Sequence, residues 1–372
     1  MSRRALSDNR GRADRTTDEA TAADGRFSAS MMLRAIELAA GSQPHPNPRV
    51  GAVVVDGDGV VVGEGAHRRA GESHAEVIAL TAAGSRASGA TMYVTLEPCA
   101  HHGRTPPCVE ALRAAGIGRV VIGAIDPDRR VSGAGVAGLQ AAGIAVETGL
   151  LADAVEAADP GYFHHRRTGR PLVTLKLATT LDGQIAAADR TSKWITGAAA
   201  REDTHQIRAE SDVVIVGAGT VIDDDPLLDV RLDGYSGRQP RPVVVAGRRP
   251  LPTDAALFSR DALVYAPKER GGPGESVVVG NGTVDLGAML DDLGQRGYVT
   301  AMVEGGATLA SELVRAGYVD RIVWYLASKL GVGGGLGAFA GVFKTISAAV
   351  PITFLSVSRL GGDIKIEAKV GV

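Results

Sequence analysis

Cysteine is scarce: there are two in 372 residues, Cys99 and Cys108. A disulfide-stapled scaffold is thereby excluded, and in a reducing compartment the pair would be metal ligands or free thiols. No apolar run reaches about 18 residues, so no membrane-spanning helix is expected. An excess of charge is also missing. Forty Lys and Arg stand against 42 Asp and Glu, a net charge of −2, which gives no pull toward nucleic acid or an anionic membrane. Clusters of aromatic and basic residues are lacking, which argues against a single-strand binding surface. The N-terminus is polar and has no apolar signal core. The expectation is a soluble, cytoplasmic protein that acts on a small molecule, with no nucleic-acid or membrane partner. Assembly of identical chains is left open.

Against these absences stand 45% apolar residues and 49 glycines. Such a chain can bury sizeable cores, and its length suggests two domains. Residues 1–26 are polar and without apolar periodicity, and are read as a disordered tail. From Phe27 to Ala40 apolar residues recur at helical spacing. Strands are expected at Val50–Val55, Val60–Val62, Thr91–Thr95, Arg119–Gly123 and Ile144–Thr148, with helices at His74–Ala83, Pro107–Ala115 and Gly133–Ala142. This alternation makes residues 27–150 an α/β domain. A helical linker, 151–170, precedes a second α/β domain, 171–372. The latter has strand-like runs such as Leu172–Leu177, Val213–Val216 and Arg321–Leu326 and ends in a hairpin, Thr353–Leu360 and Ile364–Val370.

The chemistry concentrates in His74-Ala75-Glu76, Pro98-Cys99 and Cys108. Zinc favours imidazole and thiolate in a tetrahedron, and three protein ligands leave one position for water, as catalytic sites do. His74, Cys99 and Cys108 are the candidate ligands, with Glu76 as the group that moves protons. Zinc deaminases carry His-x-Glu followed by Pro-Cys-x-x-Cys. Here the second thiol is displaced by the eight residues Ala100–Pro107, among them His101, His102, Arg104 and Thr105, which suit a phosphorylated substrate. A purely structural zinc and a nucleic-acid deaminase are rival readings. The neighbouring glutamate argues against the first, and the charge and the cysteine spacing argue against the second.

Three segments of the second half could hold a nucleotide. Lys176–Gly183 leaves a strand and turns, and Ser192–Thr196 comes after it. Val216-Gly217-Ala218-Gly219-Thr220 places small residues after a buried strand but lacks the third glycine of a dinucleotide fingerprint. Val303–Leu309 runs strand, glycine pair, helix, which suits an anion.

Together, His45-Pro46-Asn47-Pro48, the stretch from His67 to Glu76, and Thr95-Leu96-Glu97-Pro98-Cys99 through Gly103-Arg104-Thr105-Pro106-Pro107-Cys108 resemble the bifunctional riboflavin-biosynthesis deaminase/reductase family. Asp126-Pro127 and Gly133-x-Gly135 share the likeness, which runs from about Phe27 onward. The resemblance implies a cytidine-deaminase-like three-layer α/β/α domain followed by a dihydrofolate-reductase-like α/β domain. It implies zinc-dependent deamination of 2,5-diamino-6-ribosylamino-4(3H)-pyrimidinone 5′-phosphate, then NADPH-dependent reduction of the ribosyl group to ribityl. By position, Asn47 would hold the pyrimidine. Ala178, Trp194, Thr220, Asp224 and Gly306 would contact NADPH, and Ser192, Arg208, Leu228, Arg231 and Glu304 the sugar phosphate. Two stretches depart from the family, Ala246–Arg249 and Ala327–Gly333. In the first, Arg248 or Arg249 is expected to meet the cofactor 2′-phosphate. The competing view of the second half is a non-catalytic binding domain.

Overall fold

The computed structural model describes residues 10–42, 44–102, 106–129, 131–247 and 249–371, with side chains described from Asp24 onward. The chain divides into two compact units, the first up to Arg167 and the second from Thr168.

The first unit contains α1 (Arg10–Ala40), β1 (Gly51–Val55), β2 (Val61–Ala66), α2 (Ala75–Ala83), β3 (Thr91–Leu96), α3 (Cys108–Ala114), β4 (Arg119–Ala124), α4 (Ala134–Ala141), β5 (Ala145–Thr148), α5 (Ala152–Ala158) and α6 (Pro160–Thr168). Its strands lie in the order β2-β1-β3-β4-β5. β1 is antiparallel to both neighbours, and β3, β4 and β5 are parallel. Helices α1 and α5 touch each other on one face, and α2, α3 and α4 line the other. Glycines in β1 and β2 set the spacing of these layers. A Cβ on Gly51 would lie 2.0 Å from the Ala35 carbonyl oxygen, and one on Gly65 would lie 2.2 Å from that of Ala75. Gly51 pairs with Ala66 and Gly65 with Ala52, so the two close approaches are on opposite faces of the pleat. Gly65 therefore brings the first turn of α2 down onto the sheet.

Two expectations need correction. The polar stretch read as a disordered tail is helical from Arg10 onward, residues 1–9 lying outside the described residues. Alanine, present at positions 13, 20, 22 and 23, is a strong helix former, and among the residues whose side chains are described Ser28 and Met32 are the first that are buried. Residues 151–167 are not a linker but part of the first unit. Val155, Tyr162 and Phe163 belong to its core, which explains why α5 and α6 stay with it.

The second unit contains β6 (Leu172–Thr179), β7 (Gln184–Ala186), α7 (Ala198–Ala209), β8 (Val213–Gly217), α8 (Ala218–Asp224), β9 (Arg241–Val245), β10 (Leu263–Ala266), β11 (Glu275–Val278), α9 (Leu286–Gln295), β12 (Thr300–Val303), α10 (Ala307–Arg315), β13 (Arg321–Leu326), β14 (Leu336–Gly337), β15 (Ile352–Leu360) and β16 (Asp363–Val370). Nine strands form one sheet in the order β11-β10-β9-β8-β12-β6-β13-β16-β15, and β7 pairs with β14. The sheet is parallel from β11 to β13 and closes with the expected antiparallel hairpin. Central strands such as Val213–Gly217 are apolar along their length because helices and loops cover both faces. The small residues after this strand lead directly into helix α8, with Gly217 as its N-cap.

Candidate active sites

In the first unit the ends of three elements converge. His74 caps the N-terminus of α2, and Cys108 is the first residue of α3. Cys99 follows β3 by way of Glu97 and Pro98. The ligand atoms of His74, Cys99 and Cys108 all lie within 4.8 Å of one another. His74 Nδ1 is 3.2 Å from Cys108 Sγ and 3.6 Å from Cys99 Sγ, and the Cys108 N–H donates to Cys99 Sγ at 3.3 Å. A hydrogen bond from Cys108, together with that from His74, pulls the Cys99 thiol down to about 4. In return Cys99 and burial push Cys108 up. Two sulfurs beside an imidazole are a donor set that suits a zinc ion. Three protein donors would leave a tetrahedral ion one position for water.

Glu76, on the first turn of α2, is buried and within hydrogen-bond reach of Cys108. Burial raises its pKa above the ordinary carboxyl value. Asn47 is held through His67. The His67 Nδ1 donates to the Ser73 carbonyl at 3.2 Å, which leaves Nε2 to accept from Asn47 Nδ2 at 3.0 Å. Burial lowers the pKa of His67, which favours this neutral form. Its ring meets that of His74 edge to face at 5.2 Å. His67 thus connects Asn47 to the ligand cluster, a link that its place in the motif does not reveal.

Glu97 is a second such residue. Its carboxylate accepts from the backbone N–H groups of Asp126 (3.2 Å), Gly133 (3.0 Å), Gly135 (2.8 Å) and Val136 (3.1 Å). It thereby fixes the chain just before Cys99 to the start of α4. Of the intercysteine loop, His101 and His102 are exposed, with His102 Nε2 3.4 Å from Glu110. Arg104 and Thr105 lie outside the described residues.

The reductase candidates fall into three groups. Ser192 and Trp194 line a cavity of about 360 Å³. The Arg201 guanidinium lies 4.4 Å from the Trp194 ring centroid. Asp224 faces the neighbouring Lys193, although burial raises its pKa. Thr220 and Gly306 meet as a second group: a Cβ on Gly306 would lie 4.0 Å from Thr220 Oγ1. Gly306 caps α10, as the strand–glycine–helix pattern predicts.

The third group surrounds a buried ion pair. Arg208 donates to both Glu304 oxygens, Nη2 at 2.8 Å, and its Nη1 reaches the Asp229 carbonyl at 2.9 Å. Burial opposes the charge on Glu304, but the Arg208 guanidinium still holds its carboxyl below the usual range. Most of the Arg208 fork is therefore committed within the protein. Arg231 pairs with the Asp229 carboxylate. Leu228 is 2% exposed and packs with Val214 and Val244. Ala178 is half-buried on β6 opposite Tyr325. Lys176, quoted only as part of a motif, places Nζ 5.9 Å from the Tyr325 ring centroid, and burial lowers its pKa while Glu304 opposes that shift. Arg249 is exposed, its carbonyl accepting from Arg270, and Arg248 lies outside the described residues.

Among the described residues no helix is long and apolar enough to cross a membrane. Residues 26–124 match the family model of the cytidine and deoxycytidylate deaminase zinc-binding region, and residues 171–366 match that of the RibD C-terminal domain. The riboflavin biosynthesis protein RibD of Escherichia coli is 39% identical, covering 90% of this chain and 96% of that protein. The Mycobacterium tuberculosis RibD is 42% identical over 86% of this chain and 90% of its own. The structure of Acinetobacter baumannii RibD, form 1, superposes with a TM-score of 0.88 at 38% identity, covering 94% of this chain and all of that one. A Thermotoga maritima structure described as a diaminohydroxyphosphoribosylaminopyrimidine deaminase/5-amino-6-(5-phosphoribosylamino)uracil reductase gives 0.83 at 33%, covering 93% of this chain and 99% of that one. The expected pair of folds, deaminase-like and then reductase-like, is thus present, and a non-catalytic second half is not favoured. The likeness spans both units in the order their motifs imply, and the chain belongs to the RibD family of bifunctional riboflavin-biosynthesis deaminase/reductases.

Proposed function

We propose that His74, Cys99 and Cys108 hold the zinc of the deaminase and that Glu76 carries the proton. The observation that supports this most is the convergence of three N and S donors within 4.8 Å beside a buried glutamate. Bound there, a zinc ion would supply a water whose pKa is lowered from about 16 toward roughly 7. Glu76 would take a proton from the attacking water and deliver it to the departing 2-amino group of the diaminopyrimidine phosphate, which would leave as ammonia. Asn47, steadied by His67, holds the ring against this group.

In the second unit NADPH supplies the hydride that converts the ribosyl group to ribityl. Trp194, Thr220, Asp224, Ala178 and Gly306 would position the dinucleotide. Ser192, Arg231, the Leu228 main chain and the Arg208–Glu304 pair shape the sugar-phosphate side. Arg208 keeps donor capacity beyond its three internal hydrogen bonds, because a guanidinium carries five N–H groups. Balanced charge and a first unit devoted to a small heterocycle support a cytoplasmic enzyme without nucleic-acid or membrane partners.

The test is to incubate the zinc-loaded chain with the diaminopyrimidine phosphate, with and without NADPH, and to identify the products by mass. Glu76→Gln should block ammonia release yet reduce the deaminated intermediate when it is supplied. Ammonia release at the wild-type rate would remove Glu76 from the mechanism.

A further inference from the structure

The turn between β6 and β7 carries a carboxylate that the roles above do not use. Asp182 accepts from the Gly331 N–H at 2.8 Å and from the Gly333 N–H at 3.3 Å, one bond to each oxygen. Both donors belong to a strap, Lys329–Gly335, that follows β13 and forms one wall of the 360 Å³ cavity holding Ser192 and Trp194.

The strap is secured at its two ends. At one end the Leu181 N–H donates to the Lys329 carbonyl, and the Lys329 ammonium donates to the Trp194 carbonyl, each at 2.8 Å. At the other, β14 pairs with β7, and a Cβ on Gly335 would lie 2.4 Å from the Ala186 carbonyl oxygen. Between these ends the chain runs through three successive residues with positive φ: Val332 (57°), Gly333 (81°) and Gly334 (77°). A β-branched residue does not adopt that region by preference, and the Val332 side chain is 90% exposed. Packing therefore does not hold the middle of the strap, and the two hydrogen bonds to Asp182 do.

We propose that Asp182 is a positioning residue of the reductase: by pinning the strap it shapes the cavity wall and so sets the affinity for the nicotinamide dinucleotide. The cavity suits that ligand. Trp194, 64% exposed, offers an aromatic face, and the Lys193 and Lys329 ammonium groups suit phosphate. The Gly331 N–H and the Thr180 hydroxyl hold the Asp182 carboxyl down at about 2, which favours the charged form that accepts both bonds. The proposal rests on the reading that this cavity takes NADPH.

The experiment uses the full-length, zinc-loaded chain with Asp182→Asn, which keeps size and one acceptor, and Asp182→Ala, which removes both. Direct NADPH titration by fluorescence is combined with steady-state reductase kinetics. The deaminase rate of the same chain serves as a folding control. Asp182→Ala should raise Kd and KM for NADPH about tenfold and Asp182→Asn by less, with kcat changed by less than about twofold. Trypsin should cut after Lys329 faster in both variants, and NADPH should slow that cut. If Asp182→Ala fails to fold, Asp182→Asn decides. An unchanged Kd and KM, or a fall in kcat with KM unmoved, overturns the proposal. Absence of NADPH binding by the wild type would overturn the reductase assignment and this proposal with it.

Discussion

The two units solve the problem of placing reactive groups in opposite ways. In the first, three ligand atoms gather from the ends of a strand and two helices within 35 residues of sequence, His74 to Cys108. In the second, the elements that could meet a ligand come from far apart: Arg208 meets Glu304 96 residues on, and Asp182 meets Gly331 149 residues on. A metal site needs soft donors at one point, and local chain geometry can deliver them. A dinucleotide site needs a long surface, and only a finished sheet provides it. The first unit is therefore the more sensitive to a single side chain, and the second to the integrity of its scaffold.

That contrast can be broken or sharpened by experiment. The largest effect is expected at Glu76. Removing a general acid–base group costs about 10²- to 10⁴-fold in rate, so Glu76→Gln should lose ammonia release by that factor while NADPH oxidation continues with added intermediate. Parallel loss of both activities would mean the units are not chemically separate. The next effect is on stability. Arg208→Met takes from the Glu304 carboxylate its hydrogen-bonded partner, with Lys176 and His205 the remaining positive neighbours, in a site where the two side chains are 11% and 12% exposed. Breaking a buried pair from one side costs roughly 3–5 kcal/mol, so calorimetry should show the second unit melting earlier while the first holds. The combined Arg208→Met and Glu304→Leu variant should recover much of that loss. Equal destabilisation by the single and the double change would show the pair to be unimportant.

A middle-sized effect is expected at Glu97. Glutamine there turns an NH₂ toward backbone N–H donors. Residues that orient metal ligands typically contribute about 10- to 100-fold in affinity, so competition with a chromophoric chelator should reveal weaker zinc binding by Glu97→Gln. Wild-type affinity would leave Glu97 a purely structural residue. The smallest effect concerns acidity. The Glu304 pKa is held below its ordinary value in the folded protein, so its contribution is present above the unfolded value, about 4.3. It is lost as the pH falls through the lowered folded value. Melting of the second unit should therefore decline from pH 6 to about pH 3 more steeply in the wild type than in Glu304→Gln. Parallel curves would remove Glu304 from the acid response.

The same contrast explains what could be read from the chain. Strands and helices with strong periodicity or apolar runs, from Gly51–Val55 to the closing hairpin, are legible because burial imposes the pattern. The metal cluster is legible because residue type and order carry it. Glu97 stands in the same motif, yet its partners are backbone groups 29 to 39 residues downstream, which no residue type announces. The role of α5 and α6 was hidden for a similar reason. Their core contribution is three residues, Val155, Tyr162 and Phe163, in a stretch whose other residues are mainly alanine and charged or imidazole side chains. The Asp182 clamp was hidden because backbone N–H groups serve as its partners.

Both cysteines of the chain sit in the deaminase cluster. An alkylating reagent therefore has one address on this molecule. Protection of the thiols would report metal occupancy, and modification of the stripped protein would silence one activity while leaving the other free of any reactive sulfur. A two-enzyme chain can in this way be titrated one half at a time, without cutting it.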